Sequence, residues 1–132
     1  MVEIHAYSRA LDGEKKLSAH FQVREFACHD GSDPVLIAPQ LVMVLETIRT
    51  HFAVPVGINS GYRTPQHNKR NGGAPHSQHC LGTAADLTVR GVSPKVVAAF
   101  ARGLMPDWGG VGIYPTFVHI DVREKRADWK KV

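Results

Sequence analysis

The chain has 132 residues, 43% hydrophobic and 21% charged, values that fit one globular domain and exclude disordered, collagen-like and coiled-coil chains. Sixteen Lys+Arg against twelve Asp+Glu leave a net charge of +4, which permits an anionic partner without identifying one. No apolar run reaches the roughly 20 residues of a membrane span, and the start, Met1-Val2-Glu3-Ile4-His5, has no signal-peptide pattern. Cys28 and Cys80 are too few and too far apart for a disulfide framework or a zinc finger, and read as buried thiols. Eight histidines are the feature that needs explaining.

Residues 1–20 are polar and weakly patterned, with a strand expected at Glu3 to Tyr7, and form an N-terminal segment ahead of a single domain over 21–132. Phe21 to Phe26 suggests a helical turn, and Cys28 to Pro34 a turn-rich loop. Leu41, Val44, Leu45 and Ile48 make an i, i+3, i+4, i+7 stripe after Pro39, predicting a helix that ends near Phe52. Val56 to Ser60 reads as a strand, and Thr64 caps a helix running from Pro65 to about Arg70, stopped by Gly72-Gly73. Ala84 to Val89 is a second strand. Ser93 and Pro94 open a third helix whose apolar face is Val96, Val97, Phe100 and Leu104. Gly110 to Tyr114 and Phe117 to Arg123 are further strands, and the tail REKRADWKKV reads as a solvated end with Trp129 as an anchor. The order predicts an α+β fold: an antiparallel-rich central sheet with helices packed on one face.

Two stretches carry chemistry. In Ser77 to Asp86 (SQHCLGTAAD), Gly82 lets the chain reverse, so the His79 imidazole and the Asp86 carboxylate can converge. In Phe117-Val118-His119-Ile120-Asp121, residues two apart share a face, placing Phe117, His119 and Asp121 opposite the core-facing Val118, Ile120 and Val122. Two imidazoles and a carboxylate make up a catalytic zinc set, with a fourth position left for water. Spacing alone also admits the ordinary alternative, a hydrogen-bonded strand histidine.

The pattern SxHxxGxAxD, met by Ser77, His79, Gly82, Ala84 and Asp86, resembles that of the zinc D-Ala-D-Ala carboxypeptidase and hedgehog-like superfamily, the M15 peptidases. Ser60 to Pro65 (SGYRTP) is similar to a second segment of that family. Gly110 to Pro115 followed by Phe117 to Asp121 resembles the closing motif of its murein-peptidase and phage-associated branch. The likeness runs from about Phe21 to Arg123, with three motifs in order. It implies a hedgehog/DD-peptidase-like fold and one Zn2+ per chain, held by His79, Asp86 and His119. It also places Arg63 near the scissile carbonyl or a substrate carboxylate, and Ser77 against substrate or as a loop tie.

Many such relatives have a Glu three residues before the last His ligand, or a His two before it; here those positions are Thr116 and Phe117. Asp121 is the remaining candidate for the base, the alternatives being an acceptor that orients a histidine or a salt bridge to an arginine. His67 and His76 are weaker candidates for the cleft, and His5, His20, His29 and His51 read as background.

The resemblance implies hydrolysis of peptidoglycan stem or cross-link peptides, by a carboxypeptidase or endopeptidase. The competing reading is a zinc-binding module of the same fold without catalysis, serving as a cell-wall binding or structural component. Dispersed basic residues give no specific nucleic-acid surface, and a monomer is expected. Without a signal peptide, synthesis in the cytoplasm is expected, with the wall reached after lysis or in a phage particle.

Overall fold

The computed structural model describes residues 2–131. The elements in chain order are β1 (His5–Ser8), α1 (Arg9–Asp12), a 3-10 turn (Val23–Phe26), β2 (Pro34–Ile37), α2 (Pro39–Phe52), β3 (Val56–Ser60), α3 (Pro65–Arg70), α4 (Gln78–Leu81), β4 (Ala84–Val89), α5 (Pro94–Leu104), β5 (Gly110–Ile113), β6 (Val118–Asp121) and β7 (Ala127–Lys130). β1 pairs antiparallel with β2 in a small sheet, and the main sheet runs β3-β4-β6-β5-β7. Every neighbour in the main sheet is antiparallel except β5 and β7. The α+β class and the antiparallel-rich sheet agree with the sequence pattern.

Alternation decides the two faces of this sheet. Ala85, Leu87 and Val89 of β4 and Val118 and Ile120 of β6 are buried. They share one core with Leu41, Leu45 and Ile48 of α2 and Val97, Ala98 and Ala101 of α5. Burial of the larger of these, the Leu, Ile and Val side chains, stabilises by roughly 1.5–3 kcal/mol each. Both long helices start as expected, with Pro39 and Pro94 in the first turn and the Ser93 hydroxyl accepting from the Val96 N–H. The buried stripe of α5 differs from the expected one by a small rotation. Val97, Ala98 and Ala101 face the sheet, while Val96 is 51% exposed.

The opposite face is polar. On it, antiparallel register sets Asp86 of β4 beside His119 of β6 and His119 beside Gly112 of β5, and the parallel β5–β7 pairing sets Gly112 beside Trp129. The tail is therefore sheet rather than a solvated end. Arg102 of α5 is what secures it, donating to the carbonyl oxygens of Met105 (2.6 Å), Trp108 (2.8 Å), Gly109 (3.2 Å) and Ala127 (3.0 Å), and to Asp128.

Three other elements were not anticipated from sequence. α1 follows Ser8, whose hydroxyl accepts from the Leu11 N–H. β2 lies where the turn-rich loop ends, and α4 occupies the start of the SQHCLG stretch. The segment ahead of Phe21 is tied down by β1–β2 pairing, among other contacts, and by Glu46 of α2, which accepts from the Ser18 hydroxyl and the His20 N–H.

Candidate metal centre

Each of the three predicted ligands is delivered by a different element. Ser77 caps α4, its hydroxyl accepting from the His79 N–H at 3.2 Å, so His79 sits in the first turn. Gly82 ends this turn at φ +78°, a conformation that strains an L side chain. A Cβ there would also lie 2.5 Å from the Leu36 carbonyl oxygen. The chain then enters β4, and Asp86 arrives beside His119 through the β4–β6 register.

One imidazole nitrogen of His79, one of His119 and a carboxylate oxygen of Asp86 lie within 4.8 Å of one another, and all three residues are buried. His79 Nε2 is 3.2 Å and His119 Nδ1 3.0 Å from Asp86 Oδ1. The far side of each ring is committed elsewhere. His79 Nδ1 is 2.7 Å from the Gly61 carbonyl oxygen, which only accepts, so this nitrogen carries the proton. His119 Nε2 is 2.8 Å from Asp121 Oδ2 and donates to it. In the neutral rings, Nε2 of His79 and Nδ1 of His119 therefore turn lone pairs toward a carboxylate oxygen. Three lone-pair donors facing one point repel unless a cation or protons stand between them. This is the donor chemistry of a zinc site, with the outer partners that such sites use to fix the tautomer.

Burial pulls the His119 pKa down, but the hydrogen bonds and charges of Asp121 and Asp86 outweigh it and raise the value. Burial pushes Asp86 up, yet hydrogen bonds from His119 and His79 hold it well below the usual carboxylate range.

Asp121 has another environment from the one expected of a base. It is fully buried and does not line the cleft that exposes the other site residues. Its oxygens accept from the Gly110 N–H (3.0 Å), the Arg123 N–H (3.1 Å) and both ends of the Arg123 guanidinium (2.8 and 2.6 Å). Burial opposes its ionisation, but Arg123 and His119 hold its pKa below the usual range. Gly110 makes room for it, because a Cβ there would collide with the carboxylate.

The cleft has a volume of 660 Å³ and is lined by Arg63, Ser77, His79, Asp86 and His119 together with His76, Arg123, Trp129 and Lys131. Arg63 is held on its wall by three acceptors, Ser60 Oγ (3.0 Å), Asn68 Oδ1 (3.3 Å) and Asp86 Oδ2 (3.2 Å). Sequence reasoning missed Asn68, which is buried and also donates to the Ala74 carbonyl at 2.8 Å, holding the loop before α4. A lone Asn inside PQHNKR carries no signal for this. Trp129 was anticipated only as an anchor. Its ring packs 5.0 Å from that of His119, across the bare Gly112, and its Nε1 donates to the Tyr114 hydroxyl at 3.1 Å. His67 does not reach the cleft, whereas His76 stands exposed on its rim. Of the background histidines, His51 stacks on Phe100 at 3.8 Å and His20 bonds to Glu46 at 2.6 Å.

The mixed sheet thus presents a buried His–Asp–His cluster in a cationic cleft. Residues 17–121 match the family model of peptidase M15, and the chain belongs to that family. It is 33% identical over 104 residues to a probable peptidoglycan L,D-endopeptidase, MepK, of Haemophilus influenzae. The match covers 71% of this chain and 54% of that protein, so the chain spans about half the length of the curated relative it matches.

Proposed function

We propose that this chain is a zinc-dependent peptidase acting on the stem or cross-link peptides of peptidoglycan, with His79, Asp86 and His119 as the metal ligands. The carrying observation is the convergence of three lone-pair donors at the floor of an open cationic cleft. Family membership supports the peptidase reading, and the resemblance to an L,D-endopeptidase favours an endopeptidase over a carboxypeptidase. When bound, the ion would supply Lewis acidity toward water and a peptide carbonyl.

The remaining roles belong to the protein's own side chains. Arg63, immobilised by Ser60, Asn68 and Asp86, presents a guanidinium whose charge suits a substrate carbonyl oxygen or carboxylate. Arg123 and Lys131 extend the positive lining and favour anionic stem peptides. Ser77 serves the fold as the α4 cap and offers its hydroxyl at the cleft wall. Asp121 acts through His119 by fixing its ring and tautomer. With Asp121 enclosed, proton transfer falls to groups that open onto the cleft, and His76 presents the imidazole there outside the ligand set.

The test is mass spectrometry of purified peptidoglycan digested by the zinc-loaded protein, beside His79→Ala and a chelated control. New peptide termini that vanish in both controls are expected, and their sequence reports the bond cut. Unchanged fragments with stoichiometric zinc bound would instead support the non-catalytic module.

A further inference from the structure

A second cluster of metal-ligating side chains lies outside this cleft. The Cys28 sulfur, an Asp30 carboxylate oxygen and a His67 ring nitrogen lie within 4.8 Å of one another, and none of the three lines the cleft. Cys28 and Asp30 stand just past the 3-10 turn, while His67 belongs to α3. We propose that Cys28, Asp30 and His67 form a second site, for a thiophilic divalent cation of the zinc class, which clamps the 28–30 loop onto α3.

The donor set argues for the ion. A thiolate, a carboxylate and a neutral imidazole carry two negative charges and mix soft and borderline ligands, which zinc accepts and calcium or magnesium does not. Tetrahedral zinc with bonds of about 2.0–2.3 Å holds its ligand atoms roughly 3.3–3.8 Å apart, so small side-chain rotations close the cluster. Cys28 is only 3% exposed, yet its sulfur faces two polar ligands, an unusual setting for a thiol that merely fills space.

The surroundings also supply donors to both anions. The Thr64 N–H points at the Cys28 sulfur at 3.5 Å. The Thr64 hydroxyl and the Ser32 N–H donate to separate Asp30 oxygens at 2.8 and 2.9 Å. Such outer contacts orient metal ligands without consuming all their lone pairs. Exposed Asp30 leaves an entry path, and the exposed His29 ring, 6.3 Å from that of His67, is near enough to supply a fourth ligand in place of water. The clamp sits next to Arg63 and to Gly61, whose carbonyl holds His79, so it would stiffen one wall of the cleft from behind.

Metal-free full-length protein is titrated with Co2+ and with Zn2+, reading stoichiometry by equilibrium dialysis and cobalt binding by absorption. The cleft set contains no sulfur, so a thiolate-to-cobalt charge-transfer band reports the second site alone. Two ions per chain are expected, with a band that survives His79→Ala and Cys80→Ser and is lost in Cys28→Ser. Asp30→Asn and His67→Ala should each weaken the second binding event at least tenfold. Asp30 is exposed, so its variant tests the site even if Cys28→Ser fails to fold, which circular dichroism would reveal. One ion per chain without a charge-transfer band in the wild type would overturn the proposal. So would a band that persists in folded Cys28→Ser, or second-site binding unchanged by both Asp30→Asn and His67→Ala.

Discussion

Asp121 shows how one side chain's neighbours choose its role. It lies two residues from His119 on the same strand face, which in sequence makes it the candidate base, with a ring-orienting acceptor and an arginine partner as alternatives. Complete burial and five donors around the carboxylate favour the last two together. Asp121→Asn keeps an acceptor but loses the charge that steadies the His119 N–H. It should weaken zinc binding by about 10–100-fold, read by competition with a chromophoric chelator. Gly82 is constrained just as tightly by its φ of +78° and by the Leu36 carbonyl behind it. Gly82→Ala is expected to cost about 2–4 kcal/mol in chemical denaturation, combining left-handed strain with backbone displacement.

Among the elements, α2 was the most readable, because its apolar stripe and first-turn proline both follow from helical geometry. Its end was less readable. Ala53 closes the helix at φ +55°, where glycine is normally found. Ala53→Gly should therefore stabilise by about 0.5–1 kcal/mol in urea melts, since relief of strain exceeds the added chain entropy. The same helix carries Glu46. Partial burial raises its pKa, but the Ser18 hydroxyl and His20 outweigh this and lower it. A depressed folded value means the stabilisation is complete above the ordinary glutamate pKa of about 4.3 and is lost as pH falls through the folded value. Glu46→Gln should thus be about 1–2 kcal/mol less stable than wild type at pH 7, with the gap closing in acid. A gap independent of pH would assign the effect to packing. α4 escaped notice because four residues hold no periodicity, although Ser77 and Gly82 are in hindsight its cap and stop.

At the scale of the molecule, the sheet is completed by a segment whose composition reads as solvated tail. Charged residues alternate there with Ala127 and Trp129, and what holds the strand is Arg102 of α5, which shares no local motif with it. Its guanidinium satisfies four backbone carbonyls and Asp128. Arg102→Ala should lower stability by about 2–4 kcal/mol and increase hydrogen exchange in β7, with α2 amides far less affected. Uniform loss of protection would instead place Arg102 in the global core.

By itself, the sequence determined the helix and strand periods, the α+β class, and the three ordered motifs through which the family is recognisable. These are local properties, set by side-chain spacing and capping. Bringing His79, Asp86 and His119 together depended on strand register, and burying Asp121 depended on bare glycines in the neighbouring strand. The pairing of Cys28 and Asp30 with His67, and the seat of Trp129 over Gly112, likewise join residues far apart in the chain. Such contacts are decided by tertiary packing, because no local pattern encodes which distant backbone leaves room for a side chain.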